Sequence, residues 1–186
     1  DEDIDPPEYD IKCEALIPVL RRELQVHFHA HRADDIFTAM RLGREFDLDY
    51  VIIHGTDGYL IADDLAEENV PVFSGPILCD RSKPELKNLT PACPGILQKQ
   101  GIRIAIVTDH PVVPIQYLPL SAALAVREGL EREEALRAIT INPARICHID
   151  NRVGSLEPGK DADFSLFRAD PLQLSTKPEM AFVSGR

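Results

Sequence analysis

The sequence predicts an α/β protein with a parallel sheet, and three observations carry that prediction. Short apolar runs alternate with segments of helical periodicity, an order that favours parallel strands joined by right-handed crossovers. Polar residues gather where those runs stop: His29, His54 and Asp109 each close a different strand. The turn after the first strand, HAHRADD, has no glycine, whereas a doubly wound nucleotide binder needs a glycine-rich turn there. Alternation alone fits a doubly wound sheet and a (β/α) barrel equally. Chemistry at the strand ends favours the barrel, whose sites are built there, and four of its strands are present.

The elements follow in order. Ile11 to Leu24 reads as a helix with Pro18 as a break, because proline lacks an N–H and clashes with the preceding turn. VHFHAH is the first strand. ADDIFTAMRLGREF then sets Ala33, Ile36, Phe37 and Met40 at helical spacing, weakened slightly by Gly43. Tyr50 to Ile53 is a buried strand closed by His54 and Gly55, Gly58 to Glu68 a helix, and VPVFSGP a strand closed by Gly75 and Pro76. The segment from Leu89 to Gly101 turns helical toward its end, and IRIAIVTDH is the clearest buried strand, ending at Asp109. Helical segments follow at Tyr117 to Glu128, Arg132 to Ile139 and Pro143 to Ile149, the last with Asn142 placed as its cap. After turn chemistry at Pro158 and Gly159, a strand from Ala162 to Phe167 and another beginning near Met180 predict a separate small layer.

Composition bounds the partners. With 44% hydrophobic and 27% charged residues the 186-residue chain folds rather than stays disordered. Its 20 basic and 31 acidic residues leave a net charge of -11, which argues against nucleic acid and anionic membrane, both of which select basic patches. No apolar run reaches membrane-spanning length, and the acidic opening is unlike a signal peptide, so the expected setting is cytoplasmic. Cys13, Cys79, Cys93 and Cys147 lack the close spacing of a thiolate zinc site and are expected to be reduced and mostly buried. Both chain ends are expected to be cut ends.

VHFHAH places His27, His29 and His31 at every second position. On a strand all three would face one way, a poor filling for a dry core but a workable presentation of nitrogen ligands. A solvated polar face fits that stretch equally well.

Six motifs weigh on the choice. HAHRADDI, VIIHG, VPVFSGP, IAIVTDHP, ALRAITINPARI and GSLEPGKDADFSLF, in that order, resemble the carboxyl-terminal half of metal-dependent amidohydrolases, in the group related to imidazolonepropionase. The resemblance runs from about Tyr9 to the end. It implies a (β/α)8 TIM-type barrel with a small β-sandwich built from both chain ends: residues 1–150 would be a partial barrel, strands five to eight, and 151–186 the returning part of the sandwich. It further implies a divalent metal, zinc above others, as one or two ions held by His29, His54 and Asp109. Asp109 and His54 would be the catalytic pair, Asp109 taking a proton from a metal-activated water and handing it to the leaving nitrogen. His31, Arg32 and His110 are candidates to contact a small-molecule substrate, Arg32 as a carboxylate clamp. The reaction implied is hydrolysis of a C–N bond in a cyclic amide, an amidine or a dipeptide. Nothing before Tyr9 matches the family's first-strand HxH pair or its fourth-strand ligand. The competing expectation is therefore a non-catalytic fragment or a binding or assembly module. On either reading this chain is expected to be inactive alone, to retain metal poorly and to self-associate through open barrel edges, with hydrolysis restored in a parent that includes the upstream half.

Overall fold

A computed structural model describes residues 8–186; the acidic run at 1–5 lies outside them. Four strands, β1 (Val26–Ala30), β2 (Tyr50–His54), β3 (Val72–Ser74) and β4 (Ile104–Ile106), lie side by side in chain order, every neighbouring pair parallel. The parallel order expected from the alternation is the one found. Side chains alternate across it. Phe28, Ala30, Ile52, Val72, Ile104 and Ile106 face one layer, packing with residues of α2 (Ala33–Glu45), α3 (Ala62–Glu67), α4 (Cys93–Lys99) and α5 (Leu118–Arg127). Val51, Phe73 and Ala105 face the other way, against Ile146 of α7 (Ile141–Ile146). Ile52, Leu65, Leu97 and Ile104 are fully buried, each contributing about 1.5–3 kcal/mol from area removed from water.

The helices that flank the sheet differ in how they are held. α1 (Ile11–Leu20) is capped by Asp10, whose carboxylate accepts from the Lys12 and Cys13 N–H groups at 2.7 and 3.1 Å. It stops at Leu20 instead of Leu24: the Pro18 carbonyl accepts from Glu23 and Leu24 N–H, turning the chain into β1. No residue of α1 is buried, which also leaves Cys13 exposed. Only Cys93 is a buried thiol, so the expectation of mostly buried cysteines is corrected. The apolar stripe of α2 is Ile36, Ala39, Met40 and Gly43, with Phe37 at its exposed margin. The helix expected from Gly58 divides into a 3-10 turn, Gly58–Ile61, and α3.

Asn142 is not a cap. α7 begins at Ile141, so Asn142 lies inside it and its amide donates to the Ile104 carbonyl at 3.1 Å and to Glu134 at 2.7 Å. The Ile106 N–H donates to the Ala138 carbonyl, at the end of α6 (Arg132–Arg137), at 2.9 Å. Two polar groups of β4 that point away from β3 are thereby satisfied without a strand. β1, at the other edge, has β2 on one side and no strand among the described residues on the other. The far end of α7 is tied down where the strands begin: the Gln25 side chain donates to the Ile146 carbonyl at 2.8 Å, and His148 Nε2–H to the Asp49 carboxylate at 2.8 Å.

A separate antiparallel hairpin, β5 (Phe164–Phe167) and β6 (Pro178–Phe182), closes the described chain, with Phe164 and Phe182 stacked across it. Among the described residues no helix is long and apolar enough to cross a membrane.

Candidate metal centre

Three imidazoles meet at the carboxyl ends of β1 and β2. His29 stands on the same face of β1 as His27, by alternation. His54 is not brought there by alternation, since its register partners are Ala30 and Ser74 and Ile52 two residues earlier faces the helices. A left-handed backbone at His54, φ 76°, turns it out of that pattern; such a conformation is uncommon outside glycine and concentrates at functional sites. The His54 ring lies 4.3 Å from the His29 ring, centroid to centroid, at an interplanar angle of 66°. His31 follows the strand and stacks on His54 at 4.4 Å and 10°. One nitrogen from each of the three lies within 4.8 Å of the others.

Burial favours the neutral form of two of these rings. His54 is 3% exposed and His31 8%. Burial, reinforced by the neighbouring His54 and His29, pushes the His31 pKa down to about 4. Burial likewise lowers that of His54, opposed by its bond to the Gly75 carbonyl and by the charge of Asp109. His54 Nδ1 sits 2.6 Å from that carbonyl, which can only accept, so Nδ1 carries the proton and the lone pair is left on Nε2. His31 Nδ1 lies 2.7 Å from Thr56 Oγ1. Neutral imidazoles with a fixed tautomer are the donors that zinc and similar cations take, and a carbonyl behind one of them is the support such ligands usually have. The donor set fits a divalent metal.

Acid should weaken the metal-free fold. His31 has a lower pKa folded than unfolded, so its neutral form contributes stability that is present above about 6.5 and lost as pH falls toward 4. Urea midpoints in the presence of chelator are expected to drop between pH 7 and pH 5, and His31→Gln to flatten that slope. Equal slopes in the two proteins would refute the assignment.

The remaining sequence-derived candidates divide. Asp109 lies outside the three-nitrogen group, but it lines with His54, Thr108 and His110 a cleft of about 390 Å³ whose apolar wall includes Ile53, Phe73 and Val107. It follows β4 by three residues, with a left-handed φ of 51°. His110 braces its own loop, Nδ1 accepting from the Ile115 N–H at 3.3 Å. Arg32 pairs through Nε and Nη2 with the Asp34 carboxylate, both at 2.8 Å, on the exposed start of α2.

Sequence reasoning missed Thr56 and Asp57. Both are buried in the turn after β2. The Asp57 N–H donates to the His31 carbonyl at 2.8 Å, while its carboxylate accepts from the Ala33 N–H at 3.2 Å and from Asn88 at 3.0 Å. Asp57 thus caps α2 in place of Arg32, which has no acceptor to offer. The available signal was the run TDG directly after a strand-ending HG.

Gly75 is the other hidden support. Its φ is 140°, and a Cβ there would stand 2.1 Å from the Val107 carbonyl oxygen. Gly75→Ala is expected to destabilise the fold by at least about 1–3 kcal/mol and to loosen His54 with it. Chemical denaturation checks the first effect and divalent-metal titration the second.

A parallel sheet whose strand ends gather three imidazoles, beside a largely apolar cleft that Asp109 also lines, defines an α/β protein equipped to hold a metal ion. The chain belongs to the amidohydrolase family, whose model matches residues 19–186. It is 28% identical over 182 residues to "Amidohydrolase tasK" of Hapsidospora irregularis, a match covering 95% of this chain and 18% of that protein. Over 104 residues it is 35% identical to an imidazolonepropionase of Cupriavidus necator, covering 53% of this chain and 23% of the relative. Among solved structures, an amidohydrolase from Thermotoga maritima superposes with a TM-score of 0.92 at 42% identity, over 99% of this chain and 48% of that one. The chain therefore spans about half the length of that structure and less than a quarter of the two curated relatives.

Proposed function

We propose that this chain is the portion of a metal-dependent amidohydrolase that supplies strands five to eight of a (β/α)8 barrel, residues 1–150, and a returning part of a small β-sandwich, residues 151–186. The observation that carries the reading is the convergence of three imidazoles, those of His31 and His54 buried and that of His29 exposed, at the carboxyl ends of parallel strands. His29 and His54 would hold the ion, zinc by the nature of the donors, with Asp109 lining a cleft together with His54. When bound, the cation supplies Lewis acidity, activating a water and polarising the bond under attack.

The chain's own residues do the rest. The Asp109 carboxylate takes the proton of the attacking water and delivers it to the departing nitrogen. The wall of Ile53, Phe73 and Val107 holds bulk water off that face of the substrate. His54, fixed by Gly75, keeps its tautomer throughout. The substrate is a small molecule with a hydrolysable C–N bond: a cyclic amide, an amidine or a dipeptide. Relatives named imidazolonepropionase and N-substituted formamide deformylase support that bond class. Four free cysteines support a cytoplasmic setting.

Metal analysis of the purified chain, with and without chelator, tests the centre. A hydrolase screen over cyclic amides, formamides and dipeptides, run on this chain and on a protein extended to its relatives' length, tests the reaction. Expected are chelator-sensitive divalent metal and turnover in the longer protein, and weakly held metal without turnover in this chain. Turnover that persists after the metal has been removed would refute the reading.

A second reading, a non-catalytic module that pairs with another chain, is favoured by the exposed apolar residues Leu16, Leu20 and Leu24 and by the edge of β1 that has no strand beside it among the described residues. Sedimentation of the chain over a range of concentrations distinguishes it.

A further inference from the structure

We infer that His31 is a positioning residue: its ring is the wall that fixes the His54 imidazole, and it does not share the ion. The inference rests on the proposed metal centre and assigns to His31 a role other than the substrate contact expected of it.

The geometry separates the three rings. A nitrogen lone pair lies in the plane of its imidazole, so an ion bound by two rings must lie near both planes. The planes of His29 and His54 cross at 66°, and their lone pairs can meet at one point. Those of His31 and His54 are parallel within 10°, with centroids 4.4 Å apart, and have no nearby point in common. Face-to-face contact of that kind restrains a ring without ligating anything.

His31 is itself held by the element it supports. Its carbonyl accepts from the Asp57 N–H at 2.8 Å, and its Nδ1 meets Thr56 Oγ1 at 2.7 Å. Both partners sit in the turn that follows His54. The segment after β1 is thereby clamped to the turn after β2, and the ring carried on it lies flat against His54. The Gly75 carbonyl fixes the Nδ1 edge of His54 at 2.6 Å. One edge bonded and one face covered leave Nε2 as the only open donor. This support is needed because alternation does not aim His54: its left-handed backbone sets it apart from the strand's own side-chain pattern.

The test uses His31→Ala, His31→Phe and Thr56→Val in the full chain, with His29→Ala as the ligand control. Two readouts serve: the side-chain ¹⁵N resonances of His54 in the metal-free protein, which report its tautomer, and titration with Co²⁺ followed by its visible absorption. His31→Ala should weaken Co²⁺ binding about 10-fold, the low end of what losing a supporting partner costs, and should give His54 a mixed tautomer. His31→Phe, which keeps a flat ring and removes both nitrogens, should restore affinity and tautomer. Thr56→Val, which removes the same His31 Nδ1 bond but keeps the ring and the Asp57 N–H bond to the His31 carbonyl, should stay close to His31→Phe, and His29→Ala should lose cobalt. If His31→Phe fails as completely as His29→Ala, His31 is a ligand and the inference is overturned. If His31→Ala matches wild type in both readouts, His31 positions nothing. If wild type takes no cobalt, the metal reading fails, while the metal-free tautomer of His54 still decides the role of His31.

Discussion

Replacing His54 is expected to weaken divalent-metal binding by more than about 100-fold, beyond the 10–100-fold that loss of a supporting partner costs. Of the two imidazoles whose planes cross, His54 is the one held rigid. Among the described residues His29 has no comparable anchor, and it stands exposed on β1. The choice of replacement matters because residue 54 has φ 76°. Alanine in that conformation costs about 1–2 kcal/mol, whereas asparagine tolerates it. Asparagine can also donate to the Gly75 carbonyl. His54→Asn and His54→Ala should therefore lose the metal alike, while only His54→Ala should also lower the denaturation midpoint. Calorimetric titration with Zn²⁺ beside urea melts separates the two effects. Near wild-type affinity in His54→Asn would remove His54 from the ligand set.

Asp109→Asn should divide binding from chemistry. The amide keeps the size and shape of the carboxylate at the cleft mouth but cannot accept a proton. In the protein extended to its relatives' length, turnover of a C–N substrate should fall on the order of 10²–10⁴-fold, the contribution of a positioned general acid and base, with bound metal retained. The carboxylate also raises the pKa of His54, so its removal leaves that imidazole still more firmly neutral, and acid should displace metal no more readily than before. Comparing kcat with metal content at one pH is sufficient. Wild-type kcat in Asp109→Asn would assign the proton transfer to another group, and simultaneous loss of metal would make Asp109 a ligand first.

The parallel sheet was legible because strand alternation and strand-end polarity are both written in local sequence. VIIHG and IRIAIVTDH announce a buried run and its stop. The location of His29 beside His54 followed from the same pattern. The aim of His54 did not, because a positive φ at a histidine leaves no mark in hydrophobic periodicity. The stacking of His31 was equally hidden, since it depends on Thr56 and Asp57, 25 and 26 residues further on. Asn142 shows the converse failure. Before a proline at the start of a helical stretch it has the local chemistry of a cap, but the Ile104 carbonyl and the Glu134 carboxylate compete for its amide. Tertiary partners overrode a sound local signal there.

Those bonds from Asn142 and to Ala138 make the two edges of the sheet unequal. The Ile104 carbonyl and the Ile106 N–H already have partners, so in the isolated chain a strand is added more readily beside β1 than beside β4. For the proposed barrel to close, the strand arriving against β4 would have to displace the Asn142 amide and the Ala138 carbonyl. The α6–α7 corner would then act as a latch, holding that seam until the strand arrives.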